Sequence, residues 1–281
     1  MDEKTALQII EQNKKSYNAI AEDFDVTRQT AWPEFEMLAP YIIEGTRILD
    51  IGCGNGRLYK FLSTSYKLQA TSYSGIDQSE ELIKIAKKNN PPLTPPLIKG
   101  GNGGVDFQVA DVFNLPFKDG EFDIVAGIAF LHHIPSKELR AKVLKEIYRV
   151  LAPGGILFLT NWNLFQIKLI KKYKLRLRDF FFLHNNLDAG DFWIPFHSSS
   201  HPASSLCHPV PSLCHPARSD SGDAGSRKKE GLDSRMRGND SGALRYYHHF
   251  NKKELARLGK DAGFGAIKQL PGRNNIAILK K

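Results

Sequence analysis

Cysteine is scarce in this chain, with three in 281 residues, and one of the three sits inside a glycine-rich turn. Three cysteines do not make a disulfide framework, so a stapled secreted scaffold is not expected. No apolar run approaches the ~18–20 residues of a membrane span. The first residues, MDEKTALQIIEQNKK, are charged and lack a signal peptide's apolar stretch and cleavage site. A soluble, cytoplasmic protein with no membrane partner is therefore expected. Acid is also in deficit: 30 Asp and Glu against 39 Lys and Arg leave a formal charge of +9, which favours an anionic partner without specifying nucleic acid. Against these shortages stand 41% hydrophobic residues, enough to bury the core of one sizeable domain, with or without insertions.

The most specific run is ILDIGCGNGR, Ile48 to Arg57. Ile48, Leu49 and Ile51 read as a buried strand carrying the acid Asp50. A turn follows on Gly52, Gly54 and Gly56, with Cys53 and Asn55 between them. Glycine tolerates positive φ and close backbone approach. A strand entering a helix through such a turn presents backbone N–H groups to the negative end of a ligand. The spacing G-x-G-x-G differs from the G-x-G-x-x-G that admits a pyrophosphate, which argues against a dehydrogenase.

Strands and helices alternate from there on. Residues 4–43 read as helical, with Leu7, Ile10, Tyr17, Ile20, Ala21 and Phe24 in roughly helical spacing. Helices are also expected at Leu58–Ser63, at Glu80–Lys88 behind a Ser79 cap, at Lys137–Val150 and at Lys252–Ala262. Strands are expected at Tyr73–Asp77, Val105–Val109, Phe122–Ile128 and Ile156–Thr160, the last entered through Pro153-Gly154-Gly155. Gly265–Leu270 and Asn275–Leu279 pair as a hairpin. The fold expected is α/β and doubly wound: a mostly parallel seven-stranded sheet, helices on both faces, and an antiparallel C-terminal strand.

Two stretches interrupt this rhythm. Residues 90–104, NPPLTPPLIKGGNGG, and residues 197–243, rich in Ser, Pro, Gly and His, look like translated repeat elements and read as disordered insertions without function. The second holds Cys207, His208, Cys214 and His215, residue types that bind zinc. A Cys beside a His is not zinc spacing, however, and the near-repeat SLCHPVP-SLCHPAR accounts for the recurrence, so no metal is expected.

Further motifs surround the glycine turn. Asp77 and Asp111 end the second and third strands, LPF-x-DGEFD precedes the fourth, and RVLAPGG precedes the fifth. With Asp50 to Gly56, these residues make the chain resemble the S-adenosylmethionine-dependent Rossmann-like methyltransferases over residues 45–160. The flanks add detail. Tyr17 to Phe24 with Thr27-Arg28 and Trp32-Pro33, then DAGDFWIPF (Asp188 to Phe196) and RYYHHFNKKEL (Arg245 to Leu255), are similar to the tRNA wobble-uridine methyltransferases, which esterify 5-carboxymethyluridine in the anticodon loop.

The resemblance implies S-adenosylmethionine as cofactor and assigns parts to the acids. The turn after Gly54 takes the methionine carboxylate, and loop carbonyls steadied by Asp50 take its ammonium. Asp77 accepts from the ribose diol and Asp111 from the adenine amine. Gln78, Val112 and Gly127 complete the cofactor set. Arg28 and Arg245 are candidates to orient a carboxylate acceptor. His132 and His133, after the fourth strand, orient the acceptor or serve as base for a hydroxyl. Tyr17, Trp162, Tyr246, Tyr247 and His248 are candidates to line the acceptor pocket. The run from Lys168 to Arg178, with six cations and no acid, suits tRNA phosphates or a solvated helix face. The chain divides into a helical substrate-side segment (1–44), the cofactor core (45–160), a basic and aromatic substrate-side segment (161–196), the second insertion (197–243) and a closing helix and hairpin (244–281). The resemblance also brings a small zinc-binding activator protein as a partner. The competing readings are a methyltransferase for a quinone-like or other small molecule, and a noncatalytic partner subunit of the same fold.

Overall fold

The computed structural model describes residues 1–65, 72–91, 104–166, 169–171, 187–196 and 243–281. Most of the first Pro/Gly-rich stretch, most of the basic run and the candidate metal ligands at 207, 208, 214 and 215 lie outside the described residues.

Five parallel strands form the centre: β1 (Arg47–Ile51), β2 (Ser72–Asp77), β3 (Val105–Val109), β4 (Phe122–Ile128) and β5 (Leu151–Asn161). Two more strands, β8 (Ala266–Leu270) and β9 (Asn275–Lys280), form the expected hairpin, and β9 pairs antiparallel with β5. The sheet order is β3-β2-β1-β4-β5-β9-β8, the expected seven-stranded architecture. The order reverses at β1, which lies between β2 and β4, and open α/β sheets bind ligands at the carboxyl ends of strands at such a point.

The central strands β1, β4, β5 and β9 bury both faces, so adjacent residues serve different cores. Leu49, Ile51, Val125, Leu157 and Leu279 pack with Val143, Leu144 and Ile147 of α6 (Lys137–Val150) and with Leu255 and Leu258 of α7 (Lys252–Asp261). Ile48, Tyr73, Ile124 and Phe158 pack on the other face. Their partners there include α3 (Pro33–Leu38), α4 (Arg57–Ser65) and α5 (Glu80–Asn89). Ser79 caps α5 by accepting from the Leu82 amide at 3.2 Å, as its sequence position suggested.

The stretch 4–43, read as helical, is three helices, α1 (Glu3–Ala19), α2 (Ala21–Thr27) and α3. Ile20 leaves the helical conformation between the first two, and Pro33, which cannot sit in a helix interior, opens the third. β5 starts at Leu151 rather than Ile156, and its pairing with β4 shifts register around the Pro-Gly-Gly turn.

A second, two-stranded sheet pairs β6 (Asp191–Pro195) with β7 (Leu244–His248), antiparallel, from Asp191↔His248 to Pro195↔Leu244. The ladder continues through the Phe196 amide, which donates to the Ala243 carbonyl at 2.9 Å. Residues 197–242 therefore leave and re-enter at the open end of a hairpin, where a two-residue turn would also fit. Replacing them with Asn-Gly is expected to stabilise the protein by on the order of 3 kcal/mol, since each halving of a loop recovers roughly 0.6 kcal/mol. Thermal melting checks this; a lowered midpoint would show that the segment contributes to the fold.

Candidate functional site

One cavity opens at the carboxyl ends of β1, β2 and β4 and is closed from above by α1, α2 and β7. Its floor is the glycine turn. Gly52 and Gly54 adopt positive φ (70° and 55°), so a side chain at either would strain the backbone. A Cβ on Gly52 would also stand 2.9 Å from the Phe130 ring. The turn is tied to β2: the Gly52 and Cys53 amides both donate to the Ile76 carbonyl, at 2.8 and 2.9 Å. The Gly54 amide donates to Asp77 Oδ2 at 3.0 Å and the Ser79 amide to Asp77 Oδ1 at 2.9 Å. Asp77 is thereby held rigidly on the cavity wall with acceptor capacity left on both oxygens. Burial raises its pKa against these amide bonds.

Asp50 departs from its expected part. It accepts nothing from the glycine turn; Tyr73 donates to its Oδ2 at 2.5 Å. Oδ1 is buried and has no partner among the described residues. Burial pushes the pKa up to about 7, the Tyr73 bond opposes this, and the Asp77 charge adds to it. An orphaned, buried carboxylate oxygen on a cavity wall is a socket for a cation, which suits the ammonium of S-adenosylmethionine.

The other expected cofactor residues divide. Cys53, Asn55, Gln78 and Val112 line the cavity. Among the described residues Asp111, Gly56 and Gly127 are not part of its lining. Asp111 is exposed, and its Oδ1 caps the following turn through the Phe113 amide at 2.9 Å. Gly56 gives way to Asn90 and Phe107, and Gly127 to Leu159, whose Cδ2 lies 2.7 Å from where a Cβ would be. These two glycines serve packing beneath the site.

On the acceptor side, period-2 alternation along β7 sorts the candidates. Arg245 and Tyr247 face the cavity. Tyr246 and His248 face away, into a buried network: Tyr246 donates to Asp191 Oδ1 at 2.6 Å, and His248 joins Asp191 at 2.7 Å and Glu254 at 2.9 Å. The expectation that Tyr246 and His248 line the acceptor pocket is therefore corrected. Arg28 and Arg245 both lie against the Phe196 ring, at 5.4 and 5.2 Å from its centre. Arg245 is buried as well.

The two histidines also separate. His133 Nδ1 meets the Tyr246 carbonyl at 2.8 Å and Nε2 meets the Tyr17 hydroxyl at 2.9 Å, so both nitrogens are engaged and it is no free base. His132 Nδ1 accepts from the Trp162 amide at 3.3 Å, which leaves the proton of the neutral ring on Nε2. That nitrogen is buried without a partner among the described residues. Burial, then the neighbouring His133, hold the His132 pKa well below 6.5. Its ring stacks on Tyr247, 4.9 Å between centres and 15° between planes, and Tyr247 stacks on Trp162 at 5.0 Å.

Sequence reasoning missed Arg57, which lies against Trp32 at 4.7 Å and lines the same cavity. Its pKa is pulled down to about 10, by burial first and by Arg28 second. Its position next to Gly56 was the available signal. Among the described residues no group of three or more His, Cys, Asp or Glu could hold a metal ion, and no helix is long and apolar enough to cross a membrane.

Comparison with known proteins agrees with this geometry. Residues 49–159 match the family model described as "Methyltransferase domain". A tRNA (carboxymethyluridine(34)-5-O)-methyltransferase of Arabidopsis thaliana is 35% identical over 146 residues, 52% of this chain and 31% of that protein. A 2-methyl-6-phytyl-1,4-hydroquinone methyltransferase of Synechocystis is 36% identical over 132 residues, 47% of this chain and 36% of that protein. The chain thus spans about a third of the length of these curated relatives. A SAM-dependent methyltransferase of Methanosarcina mazei shares the fold, with a TM-score of 0.54 and 24% identity over 89% of this chain and 96% of its own. The cavity at the β1–β4 switch and its glycine turn thus fall in the stretch that is similar to a methyltransferase domain, residues 49–159, on a fold shared with S-adenosylmethionine-dependent methyltransferases.

Proposed function

We propose that the chain transfers a methyl group from S-adenosylmethionine to a carboxylate on RNA, in the cytoplasm, the carboxymethyl group of tRNA wobble uridine being the leading acceptor. The observation that carries this reading is the polarity of the cavity. Its lining holds two acids at the glycine turn, Asp50 and Asp77, and three arginines: Arg57 beside the turn, and Arg28 and Arg245, which converge on Phe196. The cofactor, when bound, supplies a methyl group on a sulfonium cation. Asp50 Oδ1 takes the ammonium, Asp77 the ribose diol, and Gln78 and Val112 border the adenine.

A carboxylate is already ionised at neutral pH and needs no general base. The chain's task is to aim one oxygen at the methyl carbon, so that the C–O bond forms as the C–S bond breaks. Arg28 and Arg245 orient the acceptor, and the His132 Nε2–H donates to it. The stack of His132, Tyr247 and Trp162 receives a flat base. A noncatalytic subunit would have no use for this set of acids and arginines lining one cavity.

The test is labelled methyl transfer into total tRNA by the purified chain, with and without a small zinc-binding activator protein, followed by mass spectrometry of the digested nucleosides. A methyl ester of 5-carboxymethyluridine is expected, with Arg245→Ala lowering the rate at least a hundredfold. Transfer only into a quinone-like small-molecule fraction would replace this reading by the one that the hydroquinone relative suggests.

A further inference from the structure

The hydrogen bonds around Tyr17 fix the direction of a single proton. His133 Nδ1 lies 2.8 Å from the Tyr246 carbonyl oxygen. A carbonyl only accepts, so Nδ1 carries the hydrogen. Burial holds the ring neutral, with a pKa near 3 that the Tyr246 bond raises against and Arg245 helps to depress. In a neutral imidazole the second nitrogen is then an acceptor. Tyr17 Oη stands 2.9 Å from that nitrogen, and its hydroxyl proton is therefore committed to His133.

The arrangement is braced from both sides. Asn13, one turn earlier on α1, accepts from the Tyr246 amide at 2.8 Å and donates to the His133 carbonyl at 3.4 Å. Ser16 donates to the Leu244 carbonyl at 2.6 Å. Helix α1 is thus laced to β7 and to the turn after β4, and Tyr17 cannot swing its hydroxyl round without breaking the lacing. The ring lines the cavity, 5.8 Å from the Arg245 guanidinium. At the acceptor end Arg28, Arg245 and His132 Nε2 are donors. Tyr17 Oη is the exception, because it turns only lone pairs to an occupant.

We infer that Tyr17 is a specificity-determining residue that requires a hydrogen-bond donor on the acceptor molecule beside its carboxylate, such as the imide N–H of a pyrimidine dione. The inference rests on the carboxylate-on-RNA reading above. A bare aliphatic carboxylate satisfies the arginines and leaves the Tyr17 oxygen facing nothing, whereas a donor-bearing ring satisfies both. The effect is on selection of the acceptor and leaves the methyl donor alone.

The experiment uses two anticodon stem-loop RNAs, one with 5-carboxymethyluridine at the wobble position and one with the same base methylated at N3, against the wild-type chain and Tyr17→Phe. Wild type should lose about tenfold or more in kcat/KM on the N3-methylated RNA, and Tyr17→Phe should lose a similar factor on the unblocked RNA. The two losses should not add, because both remove one hydrogen bond. Calorimetry should find the affinity of Tyr17→Phe for S-adenosylmethionine unchanged, which also certifies its fold. Equal transfer to both RNAs by wild type, additive losses, or a loss confined to cofactor affinity would each overturn the inference. No transfer to either RNA would sink the carboxylate-on-RNA reading and take this inference with it.

Discussion

Asp50→Asn is expected to weaken cofactor binding by about a hundredfold while making the cofactor-free protein more stable at neutral pH. The two effects have one cause. Asp50 is 2% exposed, and its Oδ1 lacks a partner among the described residues. Burial drives its pKa up to about 7. An acid whose folded pKa lies above its unfolded value binds more protons when folded, so it costs stability as pH rises from about 4 to about 7. The linkage amounts to on the order of 4 kcal/mol over that window. Asparagine can keep the Tyr73 bond and carries no charge, so the variant escapes this cost. It also loses the countercharge for the cofactor's ammonium. On the proposed reading the ionised carboxylate is the binding form in wild type, and affinity should rise on the order of tenfold between about pH 5.5 and 7.5. Calorimetry across that range and thermal melts of the cofactor-free proteins check both halves. A flat wild-type profile, or an Asp50→Asn protein that melts lower than wild type above pH 7, would refute the argument.

How much of this could be read beforehand depended on how local the signal was. The strand, turn and acid of Ile48 to Gly56 are consecutive, so their joint meaning survives without a structure. The alternation that splits Ile48 from Leu49 between two cores is equally local. Asp77 and Asp111 were assigned by the same logic, as acids ending strands. Only Asp77 lines the cavity, because Asp111 spends its carboxylate on the turn that follows β3. Strand position alone does not say whether an acid's lone pairs face the ligand or its own backbone. The residues RYYHH show the same limit. Their composition suggested an aromatic pocket, but the face each one takes depends on β7 pairing with β6 across a long intervening segment. That pairing sends Tyr246 and His248 away from the site and Arg245 and Tyr247 into it. The Tyr17–His133 bond was illegible for a related reason, since it depends on a neighbour that only the tertiary fold brings near, and Arg57 offered only its place beside Gly56.

Asp191→Ala should be the most damaging substitution away from the cavity, costing about 3–5 kcal/mol, the usual penalty for breaking a buried ion pair by removing one partner. The Asp191 side chain accepts from Tyr246 at 2.6 Å, from His248 at 2.7 Å and, through Oδ2, from the Asp188 amide at 2.8 Å. His248 is 3% exposed and lies between two carboxylates, Asp191 and Glu254, with the Arg140 guanidinium nearby. Burial and Arg140 pull its pKa down, yet the two carboxylates outweigh them and leave it raised. A histidine with a raised folded pKa contributes stability that is complete below about 6.5 and is lost as pH climbs through the folded value. Glu254 works from the acid side. Burial, the largest single effect, raises its pKa, but the bond to His248 and the His248 and Arg140 charges together outweigh it and leave a lowered value. Its contribution is present above about 4.5 and fades as pH falls. The deficit of Asp191→Ala should therefore be widest between about pH 4.5 and 6.5 and should narrow toward pH 9, where the wild type has lost the imidazolium too. Chemical denaturation across that range reads it directly, and a deficit independent of pH would mean that Asp191 acts through Tyr246 alone. The functional consequence follows from the two faces of β7. Loosening the Tyr246 and His248 face frees the strand that holds Arg245 and Tyr247, while the glycine turn belongs to the other sheet. Cofactor affinity should hold within about twofold in the variant while acceptor turnover collapses. Equal loss of both would show that the two sheets do not respond as separate halves of the site.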